Sequence, residues 1–138
     1  MIVLDTDVVS ELMRPDPMTN VVRWIRAQPA TSLYTTCVTQ AEILLGIALL
    51  PKGKRRDAIA TVARSMFEDD FAGRVLAFGS DAALAYADIA AARRRAGRPI
   101  SVFDAQIAAI SRSAGAGLAT RNVEDFAGTG LDVVDPWR

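Results

Sequence analysis

The stretch Ile2-Val3-Leu4-Asp5-Thr6-Asp7 decides how the rest of the chain is read. Its apolar half, two β-branched residues and a leucine with no polar alternation, has the pattern of a short strand buried on both faces of a parallel sheet. The strand must stop where the carboxylates begin. In open α/β sheets, ligands and reacting groups gather beyond the carboxyl ends of the strands, so Asp5 lies where an acid has chemistry available. Asp7 is expected to cap a short helix running to about residue 13.

Working outward, Arg14-Pro15-Asp16-Pro17 ends that helix and a second one is expected over 18–27, with Val21, Val22, Trp24 and Ile25 on its apolar side. Residues 33–38 read as a strand that includes Cys37, and Thr39 opens a helix over 39–50 that is apolar nearly all round. Such a helix is either enclosed in the core or buried in a subunit contact. Beyond Pro51 and Gly53, the pattern predicts a helix over 55–67, a polar loop at Asp69-Asp70 and a strand over 74–78. Asp81 is expected to cap an alanine-rich helix over 82–96 that Gly97 and Pro99 stop. Ser101 opens a further helix to 114, followed by a strand at 118–120, a single turn at 122–126 and an edge strand at 132–134. Strand and helix alternate from end to end. That alternation predicts one α/β domain over 1–138, a three-layer α/β/α sandwich around a mostly parallel sheet of about five strands.

Composition narrows the chemistry. The 138 residues are 51% hydrophobic, carry balanced charge and contain no histidine and a single cysteine. The lone Cys37 has no partner for an internal disulfide and reads as a small core residue. Neutral net charge argues against a protein that merely coats nucleic acid. The absence of an apolar run long enough to span a bilayer, and of a basic leader ahead of the first strand, leads to the expectation of a cytoplasmic protein without membrane contact. Without histidine, Ser-His-Asp, Cys-His and two-histidine nuclease mechanisms are excluded, which leaves carboxylates and metals. Two basic clusters, Lys52 to Arg56 and Arg93, Arg94, Arg95 and Arg98, are either solvated helix ends or phosphate contacts.

Glu42 follows Thr39 by three residues and Asp104 follows Ser101 by three, so both acids are expected in the first turn of a helix. Each could simply complete a capping box. Yet helices that follow parallel strands begin at the carboxyl edge of the sheet, so Asp5, Glu42 and Asp104 should share one rim. Gly46, one turn beyond Glu42, leaves either a gap for a ligand or a seat for another helix. Asn122 should emerge at the same rim, with Asp125 a turn later, either as a helix cap or as an oxygen ligand. Gathered carboxylates repel one another, and a hard divalent cation such as Mg²⁺, or Mn²⁺ in its place, relieves that repulsion.

These residues resemble a family: the PIN-domain nucleases, and within them the toxin half of VapBC-type toxin-antitoxin pairs in the FitB-like branch. The resemblance lies in Ile-Val-Leu-Asp-Thr-Asp at 2–7, Thr-x-Ala-Glu-Ile-x-x-Gly at 39–46 and Phe-Asp-Ala-x-Ile-Ala at 103–108. Ala-Thr-Arg-Asn-Val-Glu-Asp-Phe at 119–126 and the terminal Asp-Pro-Trp complete it. It implies a Mg²⁺-dependent endoribonuclease that blocks translation until a VapB-type antitoxin covers its site, with operator DNA bound through the antitoxin. Asp5, Glu42 and Asp104 would form the metal and catalytic site, with Thr6 supporting Asp5. Asn122 stands where the family usually has a fourth acid, with Asp125 nearby. A homodimer is also implied, which would suit the apolar third helix. The alternatives from the residues are a non-catalytic fold that binds antitoxin and nucleic acid, and a phosphohydrolase of the haloacid-dehalogenase-like class, for which Asp5-Thr6-Asp7 would serve as the nucleophile signature.

Overall fold

The computed structural model describes residues 1–138. Strand β1 (Ile2–Leu4) lies at the centre of a five-stranded sheet of order β3-β2-β1-β4-β5, with β2 at Leu33–Thr36, β3 at Val75–Leu76, β4 at Gly117–Ala119 and β5 at Val133–Val134. Every pairing is parallel, with Ile2 opposite both Leu33 and Gly117, and Leu4 opposite Ala119. The last strand forms one edge, as its sequence predicts.

Six α-helices connect the strands: α1 (Thr6–Leu12), α2 (Thr19–Arg26), α3 (Cys37–Ala48), α4 (Lys54–Ser65), α5 (Ser80–Arg95) and α6 (Val102–Ser113). They divide into two layers because β1 sends successive side chains to opposite faces. Leu4 packs with Val8, Val9, Val21, Ile43, Ile47 and Phe67 on one face. Val3 packs with Ile89, Ile107, Ile110, Leu118 and Phe126 on the other. The three-layer sandwich read from the sequence is therefore the observed architecture. No helix is long and apolar enough to cross a membrane.

Several boundaries differ from expectation for local reasons. The β2 strand ends at Thr36 because the Thr36 hydroxyl accepts a hydrogen bond from Thr39 N–H at 3.0 Å and caps α3. Cys37 is thus the first residue of α3 and not part of a strand. Asp5, not Asp7, caps α1: its backbone is extended and its carboxylate accepts from Thr6 N–H at 2.8 Å. Asp81 lies inside the first turn of α5, where Gly79 is the cap. The fourth helix runs on into a wider π-helical turn at Met66–Asp70, so Asp69 and Asp70 are not in a loop.

The outer face of α3 has no cover within the chain. Leu44, Leu45 and Leu49 are 48%, 58% and 76% exposed, while Ile43 and Ile47 face inward. Of the two fates its composition allowed, enclosure in this chain's core is excluded on that side.

Leu4 is buried to 1% exposure in the first layer, and Leu4→Ala should cost about 2–5 kcal/mol in unfolding free energy. Urea titration followed by circular dichroism measures it as a lower midpoint with an unchanged slope.

Candidate acid site at the carboxyl edge of the sheet

The chain passes from β1 into α1 with no loop, and Asp5 is the joint. Its N–H extends the ladder to Ala119 C=O at 2.9 Å, and its own C=O accepts from Val8 and Val9 N–H, both at 3.1 Å. Both halves of the peptide are committed, so the carboxylate is fixed at the rim, and Asp5 is only 5% exposed. One carboxylate oxygen accepts from Thr6 N–H and the other from the Thr120 hydroxyl at 2.7 Å.

Burial raises the Asp5 pKa from 3.8 to about 7, and the charges of Asp7 and, last, Asp104 push it the same way, against the bonds from Thr120 and Thr6. Asp104 therefore stands close enough for its charge to be felt at Asp5. It occupies the first turn of α6, where its N–H donates to the Ser101 hydroxyl at 3.2 Å. Burial raises its pKa too; Ser101 and Arg93 lower it, while Asp125 raises it.

Glu42 joins from the other helical layer. Thr39 is not a cap, so Glu42 lies in the second turn of α3 and the capping-box explanation for it does not hold. Its carboxylate accepts from the Thr6 hydroxyl at 2.9 Å, and Thr6 Oγ1 lies 3.0 Å from Thr39 Oγ1. Since Thr6 gives its one proton to Glu42, Thr39 donates to Thr6. Thr6 thus supports Asp5 with its backbone and Glu42 with its side chain. Gly46 has open space where a side chain would stand, so no other helix packs there. It lines a groove of about 770 Å³ that also reaches Thr6, Glu42, Met13, Ile47 and Ile59.

Two further residues belong to this rim: Thr120, which the sequence did not single out, and Asp7, which it offered as a helix cap. Thr120 is fully buried, donates to Asp5 and accepts from Asn122 N–H at 3.1 Å. Asp7 accepts from Arg121 N–H at 3.0 Å and from Asn122 Nδ2 at 3.3 Å, while its other oxygen is buried without a partner. Burial raises its pKa as well. Asn122 is exposed and makes no side-chain cap on the 3₁₀ turn Val123–Phe126; it reaches back to Asp7 instead. Asp125 is exposed on that turn.

The arginines separate. Arg93 is 7% exposed and its guanidinium donates to main-chain carbonyls, so it is withdrawn from the surface phosphate contacts its sequence cluster suggested. Arg94, Arg95 and Arg98 are exposed.

Every candidate donor is a carboxylate, amide or hydroxyl oxygen, the set a hard cation prefers. No three of the acids stand close enough together to hold one ion by direct bonds. The donors fit an ion of the Mg²⁺ type, which takes one or two carboxylates and keeps waters in its remaining positions. Asp5, whose pKa is raised first by burial, and the unpartnered oxygen of Asp7 are both groups that a nearby cation would favour.

A model of the PIN domain matches residues 2–130 of this sequence. The chain belongs to the PIN-domain family. The chain is 41% identical over 137 residues to the VapC ribonuclease Y4jK of Sinorhizobium fredii, covering 99% of this chain and 98% of that one. It is 35% identical to the toxin FitB of Neisseria gonorrhoeae, covering 99% of each. A solved structure of FitAB bound to an IR36 DNA fragment superposes with a TM-score of 0.89 at 35% identity, covering 100% of this chain and 96% of that one. These matches, to a VapC ribonuclease and to FitB alike, do not favour a dehalogenase-like phosphohydrolase.

The raised Asp5 pKa has a stability consequence. The folded protein holds a proton that the unfolded chain releases near pH 4, so stability present below that pH is lost as pH rises toward 7. Asp5→Asn keeps a hydrogen-bonding group there without the charge. In EDTA at pH 8 it should melt several degrees above the unsubstituted protein, a gain of up to about 4 kcal/mol, and the two should converge near pH 4. Calorimetric melting across that range is the measurement.

Proposed function

We propose that this PIN domain is a divalent-metal-dependent endoribonuclease and the toxin of a type II toxin-antitoxin pair. The observation that carries the reading is a buried Asp5 at the end of the central strand with Glu42 tied to it through Thr6, and the first turn of α6 supplies Asp104. The names of its relatives, a VapC ribonuclease and a FitB toxin, support the same reading.

In this reading Asp5, Glu42 and Asp104 hold Mg²⁺, for which Mn²⁺ can substitute, directly or through water. Such an ion would offset the carboxylates' charge and would supply Lewis-acid chemistry for phosphodiester hydrolysis. The chain's own residues do the rest. Thr120 and the Thr6 N–H fix the two oxygens of Asp5, and the Thr39–Thr6 relay orients Glu42. Asp104 contributes its carboxylate from the first turn of α6, which Ser101 caps. Asn122 donates toward Asp7 and holds the mouth of the rim. Exposed Arg94, Arg95 and Arg98 guide the RNA backbone.

A cognate VapB-type antitoxin silences the site, and operator DNA is bound through that antitoxin, as the FitAB–DNA structure suggests by analogy. The uncovered leucines of α3 are buried in a homodimer. The setting is the cytoplasm, where translation is the target.

The purified chain, freed of antitoxin and given Mg²⁺ or Mn²⁺, should cleave RNA, and EDTA should stop it. Asp5→Asn and Asp104→Asn should each lower the rate by roughly a hundredfold or more. RNA that is bound but left whole by the unsubstituted protein, across a broad panel with either metal, would replace catalysis with a binding role.

A further inference from the structure

Three consecutive arginines close α5, and only one of them turns inward. Arg93 is 7% exposed. A guanidinium stays charged throughout the range in which proteins fold, so its burial has to be met by acceptors. Main-chain carbonyls meet it here. Nε donates to Arg98 C=O at 2.7 Å, and Nη1 donates to Asp125 C=O and Ala127 C=O, both at 2.8 Å.

Those carbonyls come from two separate segments of the candidate site. Arg98 lies three residues ahead of Ser101, whose hydroxyl caps the helix that carries Asp104. Asp125 and Ala127 belong to the 3₁₀ turn that follows Asn122 and to its end. The Arg93 carbonyl also accepts from Arg98 N–H at 2.9 Å, so the α5–α6 connection is gripped at two atoms. The only ion pair joining the same two segments, Arg98 to Glu124 at 3.7 Å, is exposed and contributes little.

We propose that Arg93 is a positioning residue. Through these carbonyls, its guanidinium sets the separation between the start of α6, with Asp104, and the turn that carries Asn122 and Asp125. The inference rests on the reading of Asp5, Glu42 and Asp104 as a divalent-metal site. The planar fork matters because Nε and Nη1 are held apart, one directed to each segment, whereas the three donors of an ammonium all leave a single nitrogen. The positive charge also partly offsets the repulsion between Asp104 and Asp125.

The test uses the full chain purified without antitoxin and Mn²⁺ alone as the probe. Arg93→Lys keeps the charge and most of the apolar stem. Arg93→Gln keeps amide donors and supplies the same comparison should the lysine variant not fold. Ile89→Val removes a methyl one turn earlier on α5, at a site 1% exposed, and is the control for lost stability alone. Arg93→Lys should bind Mn²⁺ about tenfold more weakly by calorimetry. It should also shift the amide resonances of both 101–104 and 122–125, and lower kcat more than it changes KM. Ile89→Val should melt earlier yet bind Mn²⁺ like the unsubstituted protein. Equal Mn²⁺ affinity in the unsubstituted protein and the arginine variants overturns the proposal, as does an equal loss in Ile89→Val. An unsubstituted protein that takes up no Mn²⁺ overturns the metal-site reading and this inference with it.

Discussion

A carboxylate is buried at the end of the central strand, and much of the structure around it answers to that cost. Asp5 cannot withdraw, because its N–H belongs to the β1–β4 ladder and its C=O starts α1. Keeping it ionised at neutral pH costs on the order of 4 kcal/mol, a large share of the stability of a domain this size. The fold supplies one hydroxyl and one N–H to it but no ammonium or guanidinium. A site built this way is incomplete in charge, and its deficit matches what a small divalent cation brings.

Topology explains why the other acids arrive at the same place. The sheet order β3-β2-β1-β4-β5 reverses direction at β1: the chain moves outward through β2 to one edge and returns through β4 to the other. Between β1 and β4 lies the crevice where doubly wound sheets bind their ligands. Asp5 stands on one lip, and Thr120 and Asn122 on the other. The α3 and α6 helices belong to connections on opposite sides of this break, which is why Glu42 and Asp104, distant in sequence, approach from different layers.

The parts of this arrangement that were legible in the sequence are those set by local rules. An unalternating apolar triplet ending in an acid gave β1 and the place of Asp5, and the Ser101 cap gave the first turn of α6. The same reasoning misplaced Glu42, because Thr36 and Thr39 are both plausible caps and only the buried geometry chooses Thr36. Thr120 was missed for a different reason. Its partner is set by strand register, and once Leu4 is paired with Ala119 the next residues across the ladder are Asp5 and Thr120. Arg93 was hidden by composition, since a run of arginines reads as a solvated helix end. Helical spacing held the correction: Arg93 lies four residues after buried Ile89 and eleven after buried Ala82, on the inward face.

The amide at position 122 fits the same electrostatics. An acid there would face Asp7 across the 3.3 Å now spanned by a hydrogen bond from Asn122 Nδ2. Burial already raises the Asp7 pKa, and one of its oxygens has no partner. A second carboxylate at that distance would leave both groups competing for one proton. The neutral amide instead donates, holding Asp7 and the turn after β4 together. Asn122 therefore does not leave the corner without a carboxylate: Asp7 supplies one, two residues from Asp5 and in the first turn of α1.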